Sequence, residues 1–128
     1  MTFQDLIYCA ENVYGSRQIA RNAWAGSVAA AVLSKSGKVY TGVCIDVACG
    51  IGFCAEHAAI AAMITAGESK ILKMVAIGER GIVPPCGRCR EFANQINDEN
   101  FAAEIMVAEN KTVTLKDLLP YGWEENNE

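Results

Sequence analysis

Two short cysteine motifs constrain this sequence more than any other feature. The first is Cys-Ala-Glu at residues 54–56, and the second is Pro-Cys-Gly-Arg-Cys at residues 85–89. Three cysteines can hold one metal ion, so the fold has to bring the two motifs together. A zinc ion with three protein ligands keeps a fourth coordination position open, which distinguishes catalytic from structural zinc. Glu56 need not be a ligand, and its carboxylate could then move protons. The motifs therefore predict a catalytic zinc centre.

Composition and charge favour a cytoplasmic protein that acts on a small molecule. The chain has 128 residues, six cysteines and a net charge of −4, with scattered basic residues. A nucleic-acid groove normally needs a basic stripe, so we expect no nucleic-acid polymer as partner. Neither a signal peptide nor a membrane-length apolar run is evident, so we expect no membrane partner. In the cytoplasm, six cysteines indicate metal binding or chemistry rather than disulfides. We expect one domain over residues 1–123 and an acidic tail at 124–128.

Hydrophobic periodicity and turn residues predict a three-layer α/β/α domain built on a mixed five-stranded sheet. Residues 55–66 are apolar nearly all round, which indicates a buried central helix. Together, Ser36 and Gly37 mark a turn between two strands, which indicates a hairpin. The predicted helices are 4–21, 55–66, 87–96 and a turn at 115–119, and the predicted strands are 27–34, 38–45, 71–77, 101–107 and 111–114.

On this reading both cysteine motifs lie at the start of a helix. Free N–H groups and the positive end of the helix dipole favour thiolates at such positions. Three thiolates around Zn²⁺ leave a local charge of −1. Arg88 and Arg90 could offset that surplus, together with the two helix dipoles.

A closed structural zinc site is the alternative. The chain's single histidine, His57, gives a Cys-x-x-His spacing that could complete a Cys₃His site. A helical position three residues after Cys54 lies about 300° round the axis, where a ligand is possible. That alternative leaves the glutamate at position 56 without a role, and the protein would then be a zinc-stabilised binding domain.

The combined motifs resemble the zinc-dependent cytidine deaminase family, and the resemblance extends over nearly the whole chain. Two segments, residues 80–90 and 118–120, are most similar to the blasticidin S deaminase branch, whose substrate is a cytosine-containing antibiotic. The matching segments are 27–31 and 36–43 in the first hairpin, 75–78 in the strand before the second motif, and 80–90 and 118–120 for the blasticidin S branch.

The resemblance implies hydrolytic deamination at C4 of a cytosine nucleoside, giving a uracil product and ammonia. Cys54, Cys86 and Cys89 would bind one zinc ion, and Glu56 would be the proton shuttle. The backbone of Ala55 would hold the pyrimidine edge. The carbonyl of Pro84 would lie near the departing amine, and Ser27 would also contact the substrate.

The sugar-recognition positions depart from the family pattern. Cytidine deaminases have Asn-x-Glu where this chain has Cys44-Ile45-Asp46. Asp46 keeps a carboxylate, whereas the sulfur of Cys44 is a weak hydrogen-bonding group. Alternatively, Cys44 is a small buried hydrophobe and Asp46 a strand-end carboxylate. The natural substrate is therefore left open between cytidine, deoxycytidine, a modified cytidine and blasticidin S.

Other departures concern charge and aromatic contacts. The family usually has an arginine at the position of His57, so thiolate neutralisation could fall to His57, Arg88 or Arg90. Family members are commonly homotetramers that lend C-terminal aromatic side chains to the pocket. Tyr121 and Trp123 are the corresponding candidates here, although both rings could instead pack on the core or on an interface.

Overall fold

The computed structural model describes residues 1–123 and contains one seven-stranded sheet. The predicted acidic tail at 124–128 lies outside the described residues. The elements in chain order are α1 Phe3–Val13, β1 Arg17–Ala20, β2 Ala23–Ser34, β3 Val39–Val47, α2 Ala55–Thr65, β4 Ile71–Gly78, β5 Gly81–Val83, α3 Gly87–Gln95, a 3₁₀ turn Asn100–Ala102, β6 Glu104–Ala108, β7 Lys111–Thr114 and α4 Leu115–Leu118.

The long strand β2 organises the sheet. Strand β3 pairs with it antiparallel along one edge, while β1 and then β4 pair with the other edge. Strand β6 runs parallel to β4 and carries β7 antiparallel at its far side, whereas β5 forms a short hairpin with the end of β4. Mixed pairing of this kind is common when helices cover both faces of a sheet.

Alternating residues of β2 build two cores on opposite faces of the sheet. Ala29, Ala31 and Leu33 pack with Leu6 and Ala10 of α1. Neighbouring β2 residues point to the other face, where they pack against α2 and α3. Three layers result, so the predicted α/β/α architecture is confirmed.

The prediction of five strands was wrong because two short strands were missed. The predicted strands correspond to β2, β3, β4, β6 and β7, whereas β1 and β5 are additional. Helix α1 also ends at Val13 rather than near residue 21. Gly15 donates its N–H to the carbonyl of Gly26, and a Cβ on Gly26 would lie 2.0 Å from the Gly15 oxygen. This close backbone approach turns the chain into β1.

The carboxylate of Glu68 joins the end of α2 to the β2–β3 turn. It accepts hydrogen bonds from the hydroxyls of Tyr40 at 2.8 Å, Ser34 at 2.8 Å and Ser36 at 2.9 Å. These donors, led by Tyr40, lower the pKa of Glu68 to about 2. The network fixes the turn that precedes β3.

A buried amide fastens the C-terminal end of α3 to the sheet. Asn100 accepts a 2.8 Å hydrogen bond from the backbone N–H of Ile71 and donates to the carbonyl oxygens of Ser69 and Ala93 at 3.0 and 2.9 Å. The Asn100 side chain is fully buried, so water could not take over its hydrogen bonds if the amide were removed.

None of the helices among the described residues has the length and apolar composition that crossing a membrane requires.

Candidate active site

The three cysteines of the two motifs lie together between two helix N-termini. Cys54 is the N-cap residue of α2 and Cys86 is the N-cap residue of α3, while Cys89 lies in the first turn of α3. The sulfur of Cys86 is 3.4 Å from that of Cys54 and 3.6 Å from that of Cys89. All three ligand atoms lie within 4.8 Å of one another. The sulfurs of Cys54 and Cys86 thus lie at helix starts, where the first N–H groups have no partner within the helix.

The environment favours a thiolate most strongly at Cys86. Partial burial opposes its ionisation, but hydrogen bonds from the backbone N–H of Cys89 and the Cys54 thiol outweigh it and lower the pKa of Cys86. Burial raises the pKa of Cys54 and Cys89, and the nearby carboxylate of Glu56 raises the Cys89 pKa further. Of the three thiols, Cys86 at the start of α3 therefore ionises most readily.

Glu56 is a buried acid beside this cluster. It is the second residue of α2, and only 4% of its surface is exposed. Burial raises its pKa, although its own backbone N–H and the Cys89 thiol partly oppose that shift. A carboxylate whose pKa is raised is a stronger proton acceptor than an ordinary glutamate.

A pocket of about 370 Å³ opens at the cysteine cluster. Eight of its lining residues were predicted from the sequence as metal, catalytic or substrate-contacting residues, and Arg88 was predicted as a neutralising charge. The predicted residues on its wall are Ser27, Cys44, Asp46, Cys54, Ala55, Glu56, Pro84, Cys86 and Arg88.

The loop between β3 and α2 is tied back to β3 at its far end. Ile45 and Phe53 form an antiparallel bridge with backbone hydrogen bonds of 3.0 and 2.9 Å. A Cβ on Gly52 would lie 1.9 Å from the carbonyl oxygen of Ile45, so only glycine fits there. The neighbours of the bridged pair, Cys44 and Cys54, both line the pocket. The bridge therefore joins the end of β3, with Cys44 and Asp46, to the cysteine cluster.

Cys44 is engaged in polar contacts despite its burial. Its sulfur lies 3.1 Å from the Ser27 hydroxyl and accepts the backbone N–H of Val28 at 3.3 Å. One carboxylate oxygen of Asp46 is 3.9 Å from the same sulfur. Asp46 is exposed and lies next to the last residue of β3. This wall of the pocket presents one carboxylate, one hydroxyl and a sulfur that already has partners.

His57 contacts the cysteine cluster from outside the pocket. Its Nδ1 is 3.1 Å from the Cys89 sulfur, and its ring stacks on Phe92 with centroids 4.3 Å apart and an interplanar angle of 11°. Burial and the positive charge of Arg88 lower the pKa of His57, which favours a neutral ring. In the described part of the chain, His57 is not among the residues whose ligand atoms group within 4.8 Å.

The two arginines of the second motif have different surroundings. Arg88 is exposed on the pocket wall, with Nη1 3.5 Å from the Gly52 carbonyl oxygen. Arg90 instead donates to the carbonyl oxygens of Pro85 at 2.7 Å and Leu118 at 3.2 Å. Its guanidinium thus fastens the segment before Cys86 to the C-terminal end of α4.

The C-terminal aromatic residues do not line the pocket of this chain. Tyr121 is 84% exposed and Trp123 is 62% exposed. The backbone N–H of Trp123 donates to a Glu91 carboxylate oxygen at 2.9 Å. Neither ring packs into the core, which was one of the alternatives for them.

Several pocket residues had no clear marker in the sequence. The glycines at 50 and 52 were the available indication, because they allow a tight loop next to the first cysteine motif. The aliphatic and aromatic wall residues could only be placed once the Ile45–Phe53 bridge was known. The additional lining residues are Val28, Val47, Gly50, Gly52, Phe53 and Val83.

Comparison with known proteins identifies relatives of this chain. No protein-family model matches it. A cytidine deaminase of Mycobacterium tuberculosis is 33% identical over 97 residues, which cover 73% of this chain and 70% of the relative.

Solved structures share the fold along almost the whole chain. The crystal structure of cytidine deaminase from Mycobacterium tuberculosis matches with a TM-score of 0.79 and 25% identity, covering 96% of this chain and 98% of that one. Cytidine deaminase from Burkholderia pseudomallei matches with a TM-score of 0.74 and 24% identity, covering 96% and 100%. These matches confirm the predicted cytidine-deaminase-like fold, and with the sequence relative they show that the chain belongs to the cytidine deaminase family and is a deaminase enzyme.

Proposed function

We propose that this enzyme hydrolyses the C4 amine of a cytosine nucleoside, releasing ammonia and leaving a uracil nucleoside. The observation that carries the proposal is the buried carboxyl of Glu56 beside three clustered cysteines, at a pocket that Glu56, Cys54 and Cys86 all line. The pocket volume of about 370 Å³ falls within the usual range of small-molecule sites, about 300–1,000 Å³.

The chemistry of the three donors fits a zinc ion. Tetrahedral Zn–S bonds of about 2.3 Å separate neighbouring sulfurs by about 3.8 Å. The observed separations of 3.4 and 3.6 Å are close to that value and far from the disulfide bond length of about 2.05 Å. Cys54, Cys86 and Cys89 would hold the ion. When bound by three protein ligands, zinc would lower the pKa of a water at its fourth position toward neutral pH.

Glu56 supplies the proton transfers in this proposal. Its carboxylate takes one proton from the attacking water and passes it to N3 of the ring. It then takes the second proton from the hydroxyl group on C4 of the adduct and gives it to the leaving amine, so that ammonia departs and a carbonyl remains at C4. The raised pKa of Glu56 supports this role because a buried carboxyl group is more easily reprotonated within each cycle.

The polar groups on the pocket wall provide the proposed substrate contacts. The backbone of Ala55 meets the pyrimidine edge, the Pro84 carbonyl lies near the departing amine, and Ser27 and Asp46 face the substituent on the ring. Because the Cys44 sulfur is occupied by its neighbours, the wall has less hydrogen-bonding capacity than an asparagine and a glutamate would give. This deficit keeps blasticidin S and modified cytidines among the candidate substrates.

We also propose a homotetramer, in keeping with the family pattern. Helix α2 is apolar all round, yet Ala61, Ala62 and Ile64 are exposed in the single chain. Such a helix is normally covered on every side. The ring of Tyr121 is also exposed in the single chain.

A cytoplasmic location is supported by six free cysteines, because oxidising compartments favour disulfides.

The deciding experiment measures loss of cytosine absorbance with cytidine, deoxycytidine, cytosine, an N4-modified cytidine and blasticidin S. We expect turnover of at least one nucleoside by the zinc-loaded chain. Glu56→Gln is the matched variant, because it keeps the shape and removes the proton carrier. It should bind zinc normally and lose at least about 10²-fold in kcat.

A different result would favour the closed Cys₃His site. If no substrate in the panel is turned over and His57→Ala alone causes loss of zinc, the proposal is refuted. The protein would then be a zinc-stabilised binding domain. Binding to single-stranded RNA or DNA at low salt would instead indicate a polymer partner.

A further inference from the structure

One hydrogen bond from outside the pocket reaches the cysteine cluster. Among described side chains other than the cysteines themselves and the acidic Glu56, only His57 has a hydrogen bond to one of the three sulfurs, from Nδ1 to Cys89 at 3.1 Å. Arg90 was an equal candidate from the sequence, but both of its hydrogen bonds go to backbone carbonyls. Arg88 is exposed and its nearest recorded partner is the Gly52 carbonyl. The short polar contact to the cluster therefore belongs to His57.

The chemistry of the acceptor fixes the direction of this hydrogen bond. A cysteine that holds a metal is a thiolate, which has no proton to donate. Nδ1 of His57 must then carry the proton and donate it to the Cys89 sulfur. A donor to a thiolate lowers the energy of the sulfur lone pairs and reduces the electron density that the sulfur gives to a metal.

The surroundings of the imidazole hold it in that orientation. Its ring stacks on Phe92, which lies three residues after Cys89 on α3. His57 itself lies in the first turn of α2, next to Glu56. The stack therefore couples the start of α2 to the middle of α3, the two helices whose first turns carry the cysteines.

We propose that His57 is a positioning residue that acts through Cys89. Its Nδ1–H fixes the direction of the Cys89 sulfur and withdraws charge from the tri-thiolate cluster, leaving a bound zinc a stronger Lewis acid. This role rests on the zinc centre of the proposed function. The sequence alone left three candidates for offsetting the thiolate charge, namely His57, Arg88 and Arg90. The contacts favour His57, which would act as a neutral hydrogen-bond donor.

The test uses a nearly isosteric pair of variants. His57→Asn keeps an N–H group close to the position of Nδ1, whereas His57→Leu has a similar shape and no donor. His57→Phe keeps a ring to stack on Phe92 and also lacks the donor, so it separates stacking from hydrogen bonding. Circular dichroism first establishes that each variant is folded.

Two measurements that do not depend on turnover follow the sulfur directly. The first is the thiolate-to-metal charge-transfer band of the Co²⁺-substituted protein, and the second is the rate of zinc loss to a chelator. We expect the band to move to longer wavelength in His57→Leu and His57→Phe, with zinc loss faster by about 10-fold or more. His57→Asn should lie close to the native protein in both measurements, and kcat should follow the same order.

The proposal is overturned if His57→Asn and His57→Leu change equally, or if none of the three variants moves the band. Failure of the native chain to bind either Co²⁺ or Zn²⁺ refutes the zinc centre itself and this role with it. Metal binding by the native chain without turnover of any nucleoside would count against the proposed substrate, while the spectral comparison still decides the role of His57.

Discussion

Removal of the buried Asn100 amide tests how α3 is held against the sheet. In Asn100→Ala, the Ile71 N–H and the Ala93 carbonyl lose their partner in the interior, while the Ser69 carbonyl lies nearer to water. An orphaned buried polar group costs about 1–3 kcal/mol. Two such groups give an expected loss of about 4 kcal/mol in the free energy of unfolding.

Urea unfolding followed by circular dichroism measures that loss. With a slope of about 2 kcal/mol per molar urea, the midpoint should fall by about 2 M. Protomer concentration must be the same in every sample, because an oligomer would make stability concentration-dependent. The slope should stay constant, which keeps the comparison within a two-state description.

Asn97→Ala is the matched control. Its amide donates to the Ser69 hydroxyl at 3.0 Å and accepts from the Glu99 N–H at 2.8 Å, and neither bond is fully buried. Water can replace both partners, so the expected loss is under about 1 kcal/mol. Equal losses in the two variants would refute the reasoning from burial, as would a loss below about 1 kcal/mol in Asn100→Ala.

Three further predictions concern other parts of the chain. The pKa of Glu68 is lowered from 4.5 to about 2, mainly by Tyr40. The ionised carboxylate therefore stabilises the fold fully above about pH 4.5, and this contribution is lost as the pH falls toward 2. In Glu68→Gln, Tm measured against pH should decline less steeply over that range. Gly52→Ala would force a Cβ against the Ile45 carbonyl at 1.9 Å, so we expect KM to rise by about 10-fold or more as the pocket wall shifts. Arg90→Met should lower the free energy of unfolding by about 2 kcal/mol in urea titrations, because two backbone carbonyls lose a charged donor.

Each of these predictions has a matched control. Glu99→Gln changes an exposed acid whose pKa is also lowered, mainly by Lys70, and should alter the acid side of the Tm profile less than Glu68→Gln. Gly87→Ala adds a methyl group with no atom within 4 Å, so KM should hardly change. Arg90→Lys keeps the charge but cannot reach both carbonyls from one planar group, so its stability should be intermediate. An unchanged KM in Gly52→Ala, or equal stability of the two Arg90 variants, would contradict the corresponding argument.

The cysteine cluster was the most predictable part of the site. An N-cap cysteine and a second cysteine one helical turn later share one face, so Cys86 and Cys89 had to lie close together. Cys54 lies at the start of a different helix. It can share a site with Cys86 and Cys89 because the free N–H groups at the start of each helix stabilise thiolates. The adjacent Glu56 then had to lie near the cluster, which the structure shows.

The parts that failed depend on contacts between distant segments. Residues 17–20 continue an apolar pattern that suits a helix, and only their pairing with residues 23–25 makes them a strand. Strand β5 has three residues, which is too few for periodicity to reveal. The partners of Arg90 include a carbonyl on α4, and no local pattern could indicate that contact.

The Ile45–Phe53 bridge makes residues 46–52 a closed ring whose two ends are fixed to each other. Substitutions or insertions within that ring can reshape the substrate-facing wall while the spacing between β3 and the first cysteine stays the same. Recognition and catalysis can therefore change separately in this chain. A laboratory search for new substrates should begin inside the ring, where variation leaves the cysteine cluster undisturbed.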